Sequence, residues 1–203
     1  MKYSFKQIIQ ALLRKFLGTQ FGRIHYLRLD INVENVNTSL ENFDLIVKEL
    51  RYEDFVLGNK SEFHTKKLDL IKERLSDPNY KAYGIIENGR LIYSTWISIE
   101  RLGLPVRLKN PINLLPQEGL LEDSYCDPIA RGRGLHSKMN NFRIQKLKEF
   151  GKTKVLALVL NGNTPAFKVQ LKSGFKELGS FYCGKILWMN FATLKKEKFD
   201  RMD

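Results

Sequence analysis

Apolar positions recur along this chain with two periods, and the switches between them mark the elements. Phe5, Ile8, Ile9, Leu12 and Phe16 fall at i, i+3, i+4, i+7 and i+11. That spacing puts them on one face of an amphipathic helix over residues 5–17, which Gly18 closes. Residues 24–31 predict a strand, and the polar stretch 32–42 reads as a linker. Residues 43–50 predict another strand, Tyr52-Glu53-Asp54-Phe55 opens a helix, and residues 63–75 carry Leu68, Ile71 and Leu75 on one side of a further helix. Residues 81–86 and 90–99 are two strand-like runs on either side of Glu87-Asn88-Gly89, and an Asn-Gly between such runs specifies a hairpin. Residues 101–119 hold Pro105, Pro111 and Pro116 without a period and predict a long loop. Such a loop serves equally as the wall of a ligand pocket or as a plain connection.

The second half is more regular. A strand over 120–126 leads through a turn into a helix over 135–150, which buries Leu135, Met139 and Phe142, with Leu147 and Phe150 continuing the apolar side. A strand over 155–160 follows. Thr164 then suits a helix cap and Pro165 a first helical position, in a short helix closed by Lys172-Ser173-Gly174-Phe175. Two strands, 176–182 and 185–191, end the pattern. Strands and helices in this proportion place the chain in the α/β (α+β) class, and no internal repeat is present.

The turn between the strand and the helix, Pro128-Ile129-Ala130-Arg131-Gly132-Arg133-Gly134-Leu135-His136, carries the clearest chemistry. A helix N-terminus directs free N–H groups and the positive end of its dipole at one point. Gly132 and Gly134 let backbone approach an anion, and Arg131 and Arg133 bring charge. A pyrophosphate suits this arrangement, although a solvated surface loop has the same composition. No Lys-Ser/Thr follows the glycines, as a P-loop requires, and the G-x-G-x-x-G spacing of a dinucleotide fold is missing.

Two motifs in order over residues 120–191 resemble the coenzyme-binding half of the GCN5-related N-acetyltransferase (GNAT) superfamily. Arg131, Gly134 and, imperfectly, His136 match Arg/Gln-x-x-Gly-x-Gly/Ala; Asn163, Ala166, Gly174 and Phe175 match Asn-x-x-Ala followed by Gly-Phe. The resemblance implies a GNAT-type acyl-CoA acyltransferase fold: a central mixed, mostly antiparallel sheet of six to seven strands flanked by helices. Residues 41–203 would form that domain, and residues 1–40 an N-terminal helix and strand appendage. It further implies direct transfer of an acetyl group from acetyl-CoA to a primary amine, with no metal. The N–H groups of Arg131, Gly132, Arg133, Gly134, Leu135, His136 and Ser137 would hold the pyrophosphate. Backbone at Tyr125, Cys126 and Leu160 would pair with the pantetheine arm, beside Ala166, and Asn163 would either bond the arm or order its own turn. Glu122 and Asp123 are candidate bases; alternation would put them on opposite faces, with Asp123 on that of Tyr125.

Two departures from the family pattern matter. His136 replaces a small residue where backbone meets phosphate. Gln170 stands where the family often has the tyrosine that protonates the leaving thiolate, and an amide cannot do so at neutral pH. Tyr182, water, or no proton donor at all would then serve. A catalytically weak or inactive coenzyme-binding scaffold is the non-enzymatic alternative, and a longer acyl group or a protein N-terminus the enzymatic ones.

Composition adds limits. The chain has 203 residues, 43% hydrophobic and 28% charged, with a formal net charge of +12. Residues 1–40 hold six Lys/Arg against two Asp/Glu, and residues 131–154 hold eight against Glu149 alone. A cationic turn and helix would attract a triply phosphorylated coenzyme. Basic clusters without interleaved aromatics, zinc-finger or helix-turn-helix patterns argue against nucleic acid as partner. A small-molecule amine acceptor fits the family. The basic helix over residues 5–17 suits either packing on the domain, packing on a second subunit of a homodimer, or peripheral contact with an anionic membrane. Two cysteines, no apolar span and no signal peptide suggest a cytoplasmic protein, with the inner membrane face as an alternative.

Overall fold

The strand-forming runs assemble into one sheet. The computed structural model describes residues 20–31 and 46–200. Within them lie β1 (Gln20–Asp30), β2 (Val47–Glu49), β3 (Tyr80–Glu87), β4 (Arg90–Ser98), β5 (Glu118–Cys126), β6 (Lys154–Leu160), β7 (Lys176–Ile186) and β8 (Met189–Ala192). Their spatial order is β2-β3-β4-β5-β6-β1-β7-β8. Neighbours are antiparallel except for β5 with β6. The helices among the described residues are α1 (Tyr52–Val56), α2 (Thr65–Leu75), α3 (Leu135–Glu149), α4 (Thr164–Lys172) and α5 (Lys196–Asp200). None is long and apolar enough to cross a membrane.

Strand β6, Lys-Val-Leu-Ala-Leu-Val-Leu, shows how the sequence fixes the layers. Its side chains alternate between two cores, Val155, Ala157 and Val159 in one and Leu156 and Leu158 in the other. A continuous apolar run of this length is what a strand covered on both faces requires. On the first face α3 adds Leu135, Met139, Ile144 and Leu147. On the second, Leu102, Leu114 and Phe199 cover Ile24, Leu120 and Leu156, while α1 and α2 place Phe55 and Ile71 beside Leu91 and Trp96. Two helix positions depart from expectation: Phe142 is half-buried and Phe150 is exposed. Phe142 packs at the rim of the core against the ring of Tyr83 on β3, and Phe150 is the C-cap, past the last turn of α3.

The N-terminal strand corrects the expected appendage. β1 is an interior strand, paired with β6 over residues 24–30 and with β7 over residues 20–28. Ile24, Tyr26 and Leu27 are buried. Both edges of β1 are used and both faces are apolar, so the sheet would lose its continuity without it. The strand therefore belongs to the same unit as the rest of the sheet, which has eight strands rather than six or seven. The helix over 5–17 and the linker over 32–42 lie outside the described residues.

At the β3–β4 hairpin, Asn88 and Gly89 have φ of 50° and 72°, the two left-handed residues that a type I′ turn demands. The 101–117 segment folds back on itself through Leu102 N–H to the Ile112 carbonyl (2.9 Å) and Leu114 N–H to the Glu100 carbonyl (2.8 Å). It is tied to the α2 region by Arg101–Asp77 (3.0 Å) and Arg107–Glu73 (2.8 Å). The proline-rich loop is thus an ordered wall.

Candidate functional site

The site begins where the parallel strands part. β5 and β6 pair from Glu118↔Lys154 to Leu121↔Ala157 and no further. Beyond that point β5 bonds only β4, and β6 only β1. A bulge helps the separation: Thr95 faces Ser124 and Trp96 faces Glu122, leaving Asp123 as an extra residue. Bulges bend the strand that carries them. The facing edges of residues 122–126 and 158–160 are therefore without a strand partner. Tyr125, Cys126 and Leu160 lie on these edges.

The head of α3 stands at the mouth of this gap. Gly134 is its N-cap, with φ of 71° and no side-chain cap, so the N–H groups of Leu135, His136 and Ser137 have no acceptor within the helix. Gly132 has φ of 80°, and a Cβ built at either glycine would meet nothing within 4 Å. The cradle is open and donor-rich, which fits a diphosphate. Arg131 and Ser137 are exposed beside it. Leu135 is buried in the core and contributes only its N–H. Arg133 differs from expectation: it forms two hydrogen bonds to Glu87 at 2.8 and 2.7 Å. A carboxylate in bidentate reach outcompetes solvent for a guanidinium, so its charge is already matched.

A buried aspartate, which the sequence reading did not single out, sets the turn. Asp127 accepts hydrogen bonds from Ile129 N–H (3.1 Å), Tyr125 Oη (3.0 Å) and Arg90 (3.0 Å). Burial would raise its pKa, but the backbone bond, Arg90 and Tyr125 together hold it below the usual value. Burial, then the bond to Asp127, pushes Tyr125 up to about 12. Burial likewise raises the Cys126 thiol, so neither is poised to give up a proton.

A cleft of about 1130 Å³ runs through the gap. His136, Leu160, Asn163, Ala166 and Gln170 line it on one side; Arg74, Glu122, Asp123 and the 101–108 segment line it on the other. Two consecutive residues of β5, Glu122 and Asp123, thus both border the same space, with the bulge at Asp123 interrupting the pleat. They are not equivalent. Glu122 is ion-paired with Arg74, and Gly103 packs against its carboxyl group. Arg74 lies over the rings of Tyr80 (4.6 Å) and Trp96 (4.5 Å). Asp123 is exposed. Tyr182 lies outside the cleft: it sits on β7 opposite Arg23 of β1, half exposed. The interposed β1, which the sequence reading put elsewhere, is what separates it from the gap.

Polar groups fill the α3 side. His136 Nδ1 is 2.7 Å from Tyr93 Oη. Burial, then the charge of Arg143, lowers the His136 pKa to about 4, so the ring is neutral. If Tyr93 donates to Nδ1, the proton on the ring is at Nε2, and that atom is buried without a partner among the described residues. Buried Asn140 donates to Gln170 Oε1 (3.1 Å) and Ser173 Oγ (2.9 Å). Arg143 donates to Asn140 Oδ1 (2.8 Å) and to the Glu122 carbonyl (2.9 Å). The sequence did signal this: His136, Asn140 and Arg143 recur at i, i+4 and i+7, the spacing of one helical face.

Asn163, not Thr164, caps α4, and its Oδ1 accepts from Ala166 N–H at 3.3 Å. Asn163→Ala should cost about 1 kcal/mol in urea unfolding; an unchanged midpoint would show that the cap contributes nothing.

Comparison with known proteins gives a likeness of fold. No family model and no curated protein matches the sequence. Among solved structures, a Novosphingobium aromaticivorans protein assigned as an acetyltransferase of the GNAT family superposes with a TM-score of 0.55 at 14% identity, over 80% of this chain and 63% of that one. A GCN5-related glucosamine N-acetyltransferase region of a fungal multi-domain GH3 β-N-acetylglucosaminidase gives 0.57 at 16%, over 91% and 23%. The aminoglycoside enzyme AAC(6′)-Iy bound to the bisubstrate analogue CoA-S-monomethyl-acetylneamine gives 0.50 at 17%, over 66% and 91%. This chain thus spans under two thirds of the length of the first two.

Proposed function

We propose that this chain, which has the GCN5-related N-acetyltransferase fold, moves an acetyl group from acetyl-CoA directly to a primary amine of a small molecule. The observation that carries the reading is the parting of β5 and β6 with an uncapped helix N-terminus at its mouth and a cleft continuing to the opposite wall. A thioester substrate with a diphosphate at one end and a reactive carbonyl at the other needs that sequence of features. The names of the structural neighbours, an aminoglycoside and a glucosamine enzyme, favour an amino sugar as acceptor.

The residues divide the work as follows. The N–H groups of residues 132–137 take the diphosphate, and the unpaired edges of β5 and β6 align the pantetheine amides. Holding both reactants converts the reaction to one within a single complex. The amine enters from the wall formed by α2 and the 101–112 segment. Asp123, exposed at the bulge, accepts the proton that the amine nitrogen must lose for the amide to form, directly or through water. Glu122 is committed to Arg74 and holds the wall in place.

Free thiol release from acetyl-CoA, followed with a panel of amino sugars, amino acid derivatives and peptides, tests the reading. Turnover with an amino sugar or amino acid derivative is the expected result. Coenzyme binding without turnover on any amine would instead favour the scaffold, which Gln170 supports by supplying no proton to the leaving thiolate.

A further inference from the structure

Among the described residues, Arg143 is a buried group on the cleft with no ion-pair partner. It is 2% exposed, and it lies on α3 at the level where β5 and β6 separate. Its two terminal nitrogens are used on neutral acceptors, the Glu122 carbonyl and Asn140 Oδ1. Its Nε is buried with no hydrogen-bond partner among the described residues. Among the described residues no carboxylate touches it; Tyr93 and then Asp123 act on it only through space. Burial lowers its pKa, but a guanidinium remains cationic at neutral pH. A cation taken out of water without an anion is strongly disfavoured. An anion arriving with the reaction would match this charge.

Position selects which anion. From Gly134 to Arg143 the helix rises about 14 Å at about 1.5 Å per residue. An extended pantetheine arm is of similar length, so a diphosphate on residues 132–137 would bring the sulfur to the level of Arg143, whose guanidinium meets the Glu122 carbonyl next to the bulge. Gln170, at the place where a proton donor is otherwise expected, is joined to Arg143 through Asn140.

We propose that Arg143 stabilises the thiolate of departing coenzyme A, so that the sulfur leaves as an anion and no side chain protonates it. The proposal rests on the acetyl-transfer reading and deepens it. The amine nitrogen forms a bond to the thioester carbon, the C–S bond breaks, and its electron pair goes to sulfur. The ammonium proton passes to Asp123 or water. The thiolate pairs with Arg143 and takes a proton from solvent on release. The polar row His136, Asn140, Arg143 then has a single purpose along its length: a neutral donor near the diphosphate end and a cation at the sulfur end.

The test is a titration of coenzyme A bound to the full chain, read by thiolate ultraviolet absorbance, with binding followed separately by calorimetry. A free thiol titrates at about 8.5. The bound thiol should titrate at least one unit lower, giving about tenfold more thiolate at neutral pH. Arg143→Met should return it to the free value, and Arg143→Lys should retain part of the shift. A bound thiol that titrates as the free one does in the unmodified protein overturns the proposal, whether or not the variants fold. A normal thiol together with a raised KM for an anionic acceptor in Arg143→Lys also overturns it and assigns the cation to the acceptor. Absence of coenzyme binding by the unmodified protein would remove the acetyl-transfer reading itself, a separate result from binding with an unshifted thiol.

Discussion

Gly134→Asp is expected to weaken coenzyme A binding at least a hundredfold while the protein stays folded. The reason is competition at one place. Gly134 is the N-cap of α3 and supplies no side-chain acceptor. An aspartate there accepts the N–H groups that would otherwise meet the diphosphate, and it sets a negative charge against the phosphate oxygens. Two such charges at contact distance near a protein surface repel by about 3–4 kcal/mol, which corresponds to a hundredfold or more in affinity. The left-handed φ of 71° adds strain for any side chain, so the comparison needs a neutral partner. Gly134→Ala shares the strain, meets no neighbour within 4 Å, and brings neither acceptor nor charge. It should bind within about tenfold of the unmodified protein. Calorimetry on both variants, with thermal unfolding as the check on folding, decides the matter. Equal affinities for the aspartate and alanine variants would show that the diphosphate does not sit on this helix end.

How much of this was legible in the sequence depends on the range of the forces involved. Elements held by local chemistry were readable. Asn88-Gly89 specifies its hairpin through two left-handed residues, and Gly132 and Gly134 mark the turn before α3 because both adopt a left-handed backbone that favours glycine. The motif spacing around Asn163 and Gly174 read correctly for the same reason, with the cap shifted by one residue. What failed was set by distant partners. β1 reads as a strand in isolation, but its place between β6 and β7 depends on edges more than a hundred residues away. That misplacement also made Tyr182 look available to the site. The bulge at Asp123 cannot be seen in β5 alone, since it is a mismatch of count against β4. Arg133 looked like a phosphate ligand because Glu87, its partner, lies 46 positions earlier. Asn140 and Arg143 give no signal one at a time, because a polar residue on a helix is ordinarily solvated. Their regular spacing from His136 was the available signal against that reading.

His136 makes stability depend on pH between about 4 and the ordinary imidazole value. In the unfolded chain an imidazole has its ordinary value of 6.5, and in the fold burial and the Arg143 charge lower it to about 4. Between these values the unfolded chain binds the proton and the folded chain does not, so unfolding stability rises with pH across that interval. The contribution is fully present above pH 6.5 and is lost as pH falls toward 4. Integrated over the interval it amounts to about 3 kcal/mol. Surface carboxylates titrate in part of the same range, and they are separated by difference. His136→Asn cannot titrate, but it can still meet the Tyr93 hydroxyl, which lies 2.7 Å from Nδ1 in the unmodified protein. Urea unfolding at several pH values between 4 and 7 should give curves whose separation changes steadily with acidity, the unmodified protein losing more than the variant. Parallel curves would mean that His136 is solvated and charged at the lower end. In that case the cleft wall it shares with Arg143 would carry two cations, and the neutral donor assigned to the diphosphate end of the row would have to be abandoned.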